Sequence, residues 1–135
     1  MNDKSKKELW IAIDFDGTLV LPSWPEIGKE NPYAIDVIKR FRRDGFKIML
    51  HTCRQGSCLE EAVLWMKSRN ISPDAINENP YAKKLYGRPG NKLYADLYID
   101  DHNIFIKRTN DNAVDWKWIR RNYRRIITQI NNTVC

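Results

Sequence analysis

The chain has 135 residues and a net charge of +6, from 23 basic against 17 acidic side chains. That length fits one domain and leaves little room for a second. The ordinary apolar and charged fractions exclude a disordered or fibrous class, and no apolar run is long enough to span a bilayer.

Met1 to Glu8 is polar and lysine-rich and is expected to be flexible, with a single domain over residues 9–135. The short run that follows lacks the length and small-residue cleavage site of a signal peptide, so a cytoplasmic location is expected. Three cysteines, Cys53, Cys58 and Cys135, make no even framework and no zinc-site spacing, and read as reduced thiols. The basic excess, gathered in Lys39–Arg43 and Lys117–Arg125, favours anionic partners without choosing between phosphorylated small molecules and nucleic acid.

In chain order, Leu9–Asp14 is a continuous apolar stretch that ends in acid, the pattern of a buried parallel strand. From Tyr33 to Arg43, Ala34, Val37, Ile38 and Phe41 share one helical face. Asn31 is expected to cap that helix, with Pro32 in its first position and Gly45 at its end. Phe46–His51 is a second strand. Ser57 is the expected cap of a helix to Arg69, on which Leu59, Ala62, Val63 and Met66 repeat the apolar stripe. Tyr81–Asn91 is turn-rich and is expected to form an exposed loop. Asp96–Asp100 is a third strand ending in acid. One last helix is expected from near Asp115, with Trp116, Ile119, Tyr123, Ile126, Ile127 and Ile130 on its apolar side. Its remaining circumference carries Lys117, Arg120, Arg121, Arg124 and Arg125, either as a solvated face or as a strip that binds nucleic acid. The pentapeptide ENPYA occurs at Glu30–Ala34 and again at Glu78–Ala82 without matching flanks, so it is not a duplication.

Alternating strands and helices predict an α/β fold: a three-layer, Rossmann-like parallel sheet flanked by helices. Ligands of such sheets bind beyond the carboxyl ends of the strands. Asp14 and Asp16, Thr52 and Arg54, and Asp100 and Asp101 all follow predicted strands and are expected to converge there. In Asp14-Phe15-Asp16-Gly17-Thr18, residues two apart in extended chain face the same side, so both carboxylates can address one site while Phe15 packs the other way. Gly17 permits the sharp turn after the strand. Paired carboxylates suit covalent phosphoryl transfer, one attacking phosphorus and the other moving protons. Clustered acids at Asp100 and Asp101 need a cation, and Mg²⁺ suits few carboxylates, several waters and a phosphate. The planar fork of Arg54 is expected to reach a substrate anion. His51 and His102 flank the site without an assigned role.

DFDGT after an apolar strand resembles the first motif of the haloacid dehalogenase-like hydrolases, and the resemblance runs in order from Leu9 to about Asn103. It implies that Asp14 is the nucleophile and Asp16 the general acid/base. It implies that Thr52, ending KIMLHT, binds the phosphoryl group beside Gly17. DLYIDD resembles the fourth motif, with Asp100 binding Mg²⁺ and Asp101 assisting. The implied ligands are therefore Asp14, Asp100, Asp101 and the main-chain carbonyl of Asp16. The phosphate-neutralising lysine of the third motif falls on Lys92, with Lys83 and Lys84 as rivals. Many members carry a cap domain. Here Val20–Asn31 and Gln55–Lys92 are too short for one, so the chain resembles the capless group, with LVLPSWPEIG as a short flap around Trp24. The expected activity is Mg²⁺-dependent hydrolysis of a phosphomonoester on a small molecule or nucleotide. The alternatives are a nucleic-acid end phosphatase and a catalytically silent binding protein. A partner subunit covering the open site is also compatible with this pattern.

Overall fold

The computed structural model of the chain describes residues 8–86, 93–103 and 106–132. Four parallel strands form one sheet: β1 (Trp10–Ile13), β2 (Lys47–Leu50), β3 (Ala75–Ile76) and β4 (Leu97–Ile99). Their order is β3-β2-β1-β4. All four residues of β1 are buried, as a strand flanked on both sides requires, and Ile11 pairs with Ile48 of β2 and Leu97 of β4. The chain builds outward from β1 through β2 to β3, then returns to lay β4 on the other side of β1. That reversal leaves a crevice beyond the carboxyl ends of β1 and β4, where open α/β sheets bind ligands.

Helices α1 (Ala34–Arg43), α2 (Gly56–Ser68), α4 (Trp116–Arg121) and α5 (Tyr123–Asn132) pack against one face of the sheet. The strand side chains on that face are Ile11, Ile13, Ile48, Leu50 and Ile99. Alternation sends Trp10, Ala12, Met49, Ala75 and Tyr98 to the opposite face, where, among the described residues, Leu93, Ala95 and Tyr81 of α3 (Pro80–Tyr86) pack on them. The result is the expected three-layer α/β architecture. No described helix is long and apolar enough to cross a membrane.

Several local expectations are corrected. The predicted strands extend one residue beyond β1, β2 and β4 at their ends, and two side-chain carboxylates add bonds to strand amides. The Asp96 carboxylate accepts from Trp10 N at 2.8 Å, and the Asp74 carboxylate accepts from Ile48 N at 2.8 Å. Of the loop expected over Tyr81–Asn91, residues 81–86 are helical, and 87–91 lie outside the described residues. Ser57 lies inside the first turn of α2, which starts after Gln55 with no side-chain cap. The predicted final helix is two. The run starts beside Asp115, as expected, with Asp115 capping α4 by accepting from Trp118 N at 3.1 Å, but Asn122 interrupts it before α5.

Asn31 is not a helix cap either. Tyr33, at φ +70°, precedes α1, while the fully buried Asn31 amide donates to Thr18 O at 2.8 Å and Val114 O at 2.7 Å. Trp116 Nε1 donates to the same Thr18 carbonyl at 2.7 Å, and Val114 N donates to Gly17 O at 2.9 Å. Three of these bonds stitch the loop after β1 to Val114 and Trp116 at the start of α4, and the fourth, Asn31 to Thr18, closes the loop on itself. Asn31→Ala should lower unfolding free energy by about 2 kcal/mol, because a buried carbonyl is left unpaired. Urea denaturation measures this, and a loss below about 0.5 kcal/mol would show that other partners satisfy it.

Candidate active site at the β1–β4 switch point

The crevice at the switch point is about 760 Å³ and is lined by Asp14, Asp16, Gly17, Thr52, Asn77, Asp100 and Asp101, with Pro22, Ser23 and Trp24 from the flap. Asp14 is fixed where β1 ends, its amide donating to Ile99 O of β4 at 3.0 Å. Its Oδ1 accepts from Phe15 N at 2.8 Å. Phe15 is fully buried and meets Trp65 edge-on at 5.5 Å, so Asp14 and Asp16 face the crevice while the residue between them fills the core. The carbonyl of Phe15 receives the amides of Thr18, Leu19 and Val20, which curls the chain tightly. Gly17 sits at φ +75° in that turn. A Cβ there would lie 2.2 Å from Asp101 Oδ2, so only glycine leaves room for the second acid of β4's terminus.

Asp14, Asp100 and Asp101 each offer an oxygen within 4.8 Å of the others. Burial, reinforced by the charges of Asp100 and Asp101, raises the Asp14 carboxyl from 3.8 to about 8. Burial also raises Asp101, whose buried Oδ1 accepts no hydrogen bond. The exposed His102 ring stands 3.7 Å from that atom. Three hard oxygen donors with an unpartnered oxygen among them can hold a divalent cation of the Mg²⁺ or Ca²⁺ type.

Thr52 is buried two residues beyond β2. Its amide donates to Asn77 Oδ1 at 2.9 Å and its Oγ1 accepts from Arg54 N at 3.1 Å. The hydroxyl proton remains for an acceptor in the crevice. Asn77, at φ +52° just after β3, escaped the sequence reading. Its only signal is an asparagine, which tolerates left-handed backbone, after a strand too short to show periodicity.

Arg54 does not present its fork to a substrate. It is 1% exposed, and all five guanidinium N–H groups are engaged within the protein. Nε and Nη2 grip the two carboxylate oxygens of Asp16 at 2.8 and 2.7 Å. The remaining donors reach the carbonyls of Pro25, Glu26 and Cys58. Asp16 is therefore drawn into an ion pair, and its carboxylate stands apart from the acidic cluster of Asp14, Asp100 and Asp101. Lys92 lies outside the described residues. Lys83 and Lys84 are exposed on α3, away from the crevice lining. Arg120, Arg121, Arg124 and Arg125 line a separate cleft with Arg40, whose guanidinium lies 3.8 Å from the centre of the Tyr123 ring.

Two measurements test this electrostatic picture. Arg54→Met should cost about 3 kcal/mol of stability, because it strands the Asp16 carboxylate. Combined with Asp16→Asn it should cost less than the sum, and additive costs would show the pair is not coupled. Without metal, native Asp14 keeps a proton that the unfolded chain releases between about pH 4 and about pH 8. The Asp14 contribution to stability should therefore be fullest below about pH 4 and fall as pH rises toward about 8. The melting temperature in chelator should drop over this range, Asp14→Asn should flatten the slope, and added Mg²⁺ or Mn²⁺ should stabilise the parent more than Asp14→Asn. A parent slope equal to that of Asp14→Asn would refute the buried, protonated carboxyl.

Neither a family model nor a curated protein matches the chain. A solved structure of a conserved protein from Bacteroides thetaiotaomicron does. The two share 32% sequence identity over 89% of this chain and 93% of that one, with a TM-score of 0.72. With identity and coverage of that extent, the chain belongs to the family of this conserved bacterial protein.

Proposed function

We infer that the protein is a Mg²⁺-dependent phosphatase that hydrolyses a phosphomonoester through an aspartyl-phosphate on Asp14. The observation that carries this reading is the meeting of Asp14, Asp16, Thr52, Asp100 and Asp101, from three strand ends, in one crevice. Their order along the chain also follows the motifs of the haloacid dehalogenase-like hydrolases.

In the first step an Asp14 carboxylate oxygen, whose proton would pass to solvent when a cation among Asp14, Asp100 and Asp101 offset the crowded charge, attacks phosphorus and the P–O bond to the leaving alkoxide breaks. Asp16 delivers the proton that this alkoxide takes up. In the second step Asp16 removes a proton from water, which attacks the phosphorus and frees Asp14. Arg54 occupies one lone pair on each Asp16 oxygen and thereby fixes where that carboxylate points. The remaining lone pairs serve proton transfer. The Thr52 hydroxyl donates to a phosphoryl oxygen. Bound among Asp14, Asp100 and Asp101, Mg²⁺ supplies positive charge to the crowded carboxylates and the phosphoryl group. Lys92 is the proposed neutralising lysine, on the resemblance of NKLYADLYIDD to the third and fourth motifs. The basic strip of α4 and α5 lies outside the crevice, so no observation favours a nucleic-acid end phosphatase over a small phosphate ester.

Asp14→Asn should fold yet reduce turnover of phosphate esters to background, and chelator should do the same to the parent. Lys92→Ala should lower kcat by about 100-fold or more, with far smaller effects for Lys83→Ala and Lys84→Ala. Full activity in Asp14→Asn would exclude the covalent mechanism. A loss confined to Lys84→Ala would move the third motif to that residue.

A further inference from the structure

The flap is anchored with care for a surface loop. Its base is closed by Leu21 N donating to Lys29 O at 2.8 Å and Asn31 N donating to Leu19 O at 2.9 Å. A Cβ on Gly28 would lie 1.9 Å from Leu21 O, so the two arms touch backbone to backbone. Arg54 holds the far end through the carbonyls of Pro25 and Glu26. On this fixed loop Trp24 is 60% exposed and still lines the crevice that holds Asp14 and Asp16. The buried Arg54 guanidinium lies over its ring, 4.9 Å from the centroid, and most of the indole stays open.

A single exposed tryptophan is unremarkable on a mobile loop. This one packs on a buried guanidinium and lines the same crevice as the acids. A preorganised indole stacks a planar ring without first having to be ordered, and stacking tolerates any aromatic base. The crevice also has ample volume for a nucleotide.

We propose that Trp24 is a stacking platform that selects phosphate esters whose leaving group carries a planar ring, of the nucleoside monophosphate class. The inference rests on the phosphatase reading for its substrate, but its recognition element can be tested apart from turnover. Adenosine 5′-monophosphate and ribose 5-phosphate share sugar and phosphate and differ in the ring alone. Calorimetric affinities for both should be measured on the full chain carrying Asp14→Asn, with Mg²⁺, so that no ligand is consumed. The nucleotide should bind about tenfold tighter than the sugar phosphate. That preference should collapse toward unity when Trp24→Ala is added and survive Trp24→Phe. The ratio of kcat/KM for the two esters in the otherwise unaltered protein should follow the same pattern. Equal affinities for the two ligands, or a preference that Trp24→Ala leaves intact, overturns the platform. Ester turnover dependent on Asp14 but indifferent to the ring defeats this inference and spares the phosphatase. Ring-dependent binding with no turnover of any ester defeats the phosphatase and spares the platform.

Discussion

The Arg54 guanidinium joins three parts of the chain that no regular element connects. Its five donors bind the Asp16 carboxylate after β1, the Cys58 carbonyl in the first turn of α2 and two flap carbonyls. Its carbon lies over the Phe15 ring, 5.1 Å from the centroid, and over the Trp24 ring. Burying a cation is costly unless every donor is satisfied, and here each has a partner. The flap, the entry to α2 and the second acid of the first motif are consequently positioned as one unit. An arginine is suited to this and a lysine is not, since only a planar fork can grip both oxygens of one carboxylate and still reach carbonyls on its other edge.

That ion pair divides the acids of the crevice into two environments. Asp16 meets a guanidinium. Asp14 meets two further carboxylates and a buried setting that together push it far above the ordinary carboxylate range. Groups of one chemical type placed in contrasting surroundings can take different parts in a reaction. The nucleophile and proton-carrier roles proposed for Asp14 and Asp16 rest on the motif resemblance and not on this contrast: a raised Asp14 carboxyl would attack only once a cation among the three acids drew off its proton. Gly17 connects the two environments, because its missing side chain admits Asp101 to the cluster while its carbonyl anchors Val114.

The open face of the crevice follows from the short segments between motifs. Neither the loop after β1 nor the segment after α2 holds enough chain to fold as a lid. The flap contributes instead a braced loop with one large ring. Among the described residues, the side chains at the rim, Trp24 foremost, are what a ligand in the crevice would meet on its open side.

By itself the sequence determined the fold class and the acidic core of the site. Short apolar runs that end in acid and alternate with amphipathic helical stretches fit buried parallel strands, and the two-residue spacing of Asp14 and Asp16 puts both on one side. It also determined the apolar stripes of α1, α2 and the C-terminal helices, because a three-to-four-residue period survives any tertiary arrangement. Tertiary structure alone decided the rest. β3 has two residues and cannot display a period. Asn31 reads as a cap by its neighbours, yet its amide is claimed by carbonyls 13 and 83 residues away. Arg54 reads as an anion binder by its distance from Thr52, but which anion it binds depended on Asp16, 38 residues earlier, turning toward it. Local spacing encodes which side of an element a residue occupies. Which distant group waits on that side is a property of the packed chain.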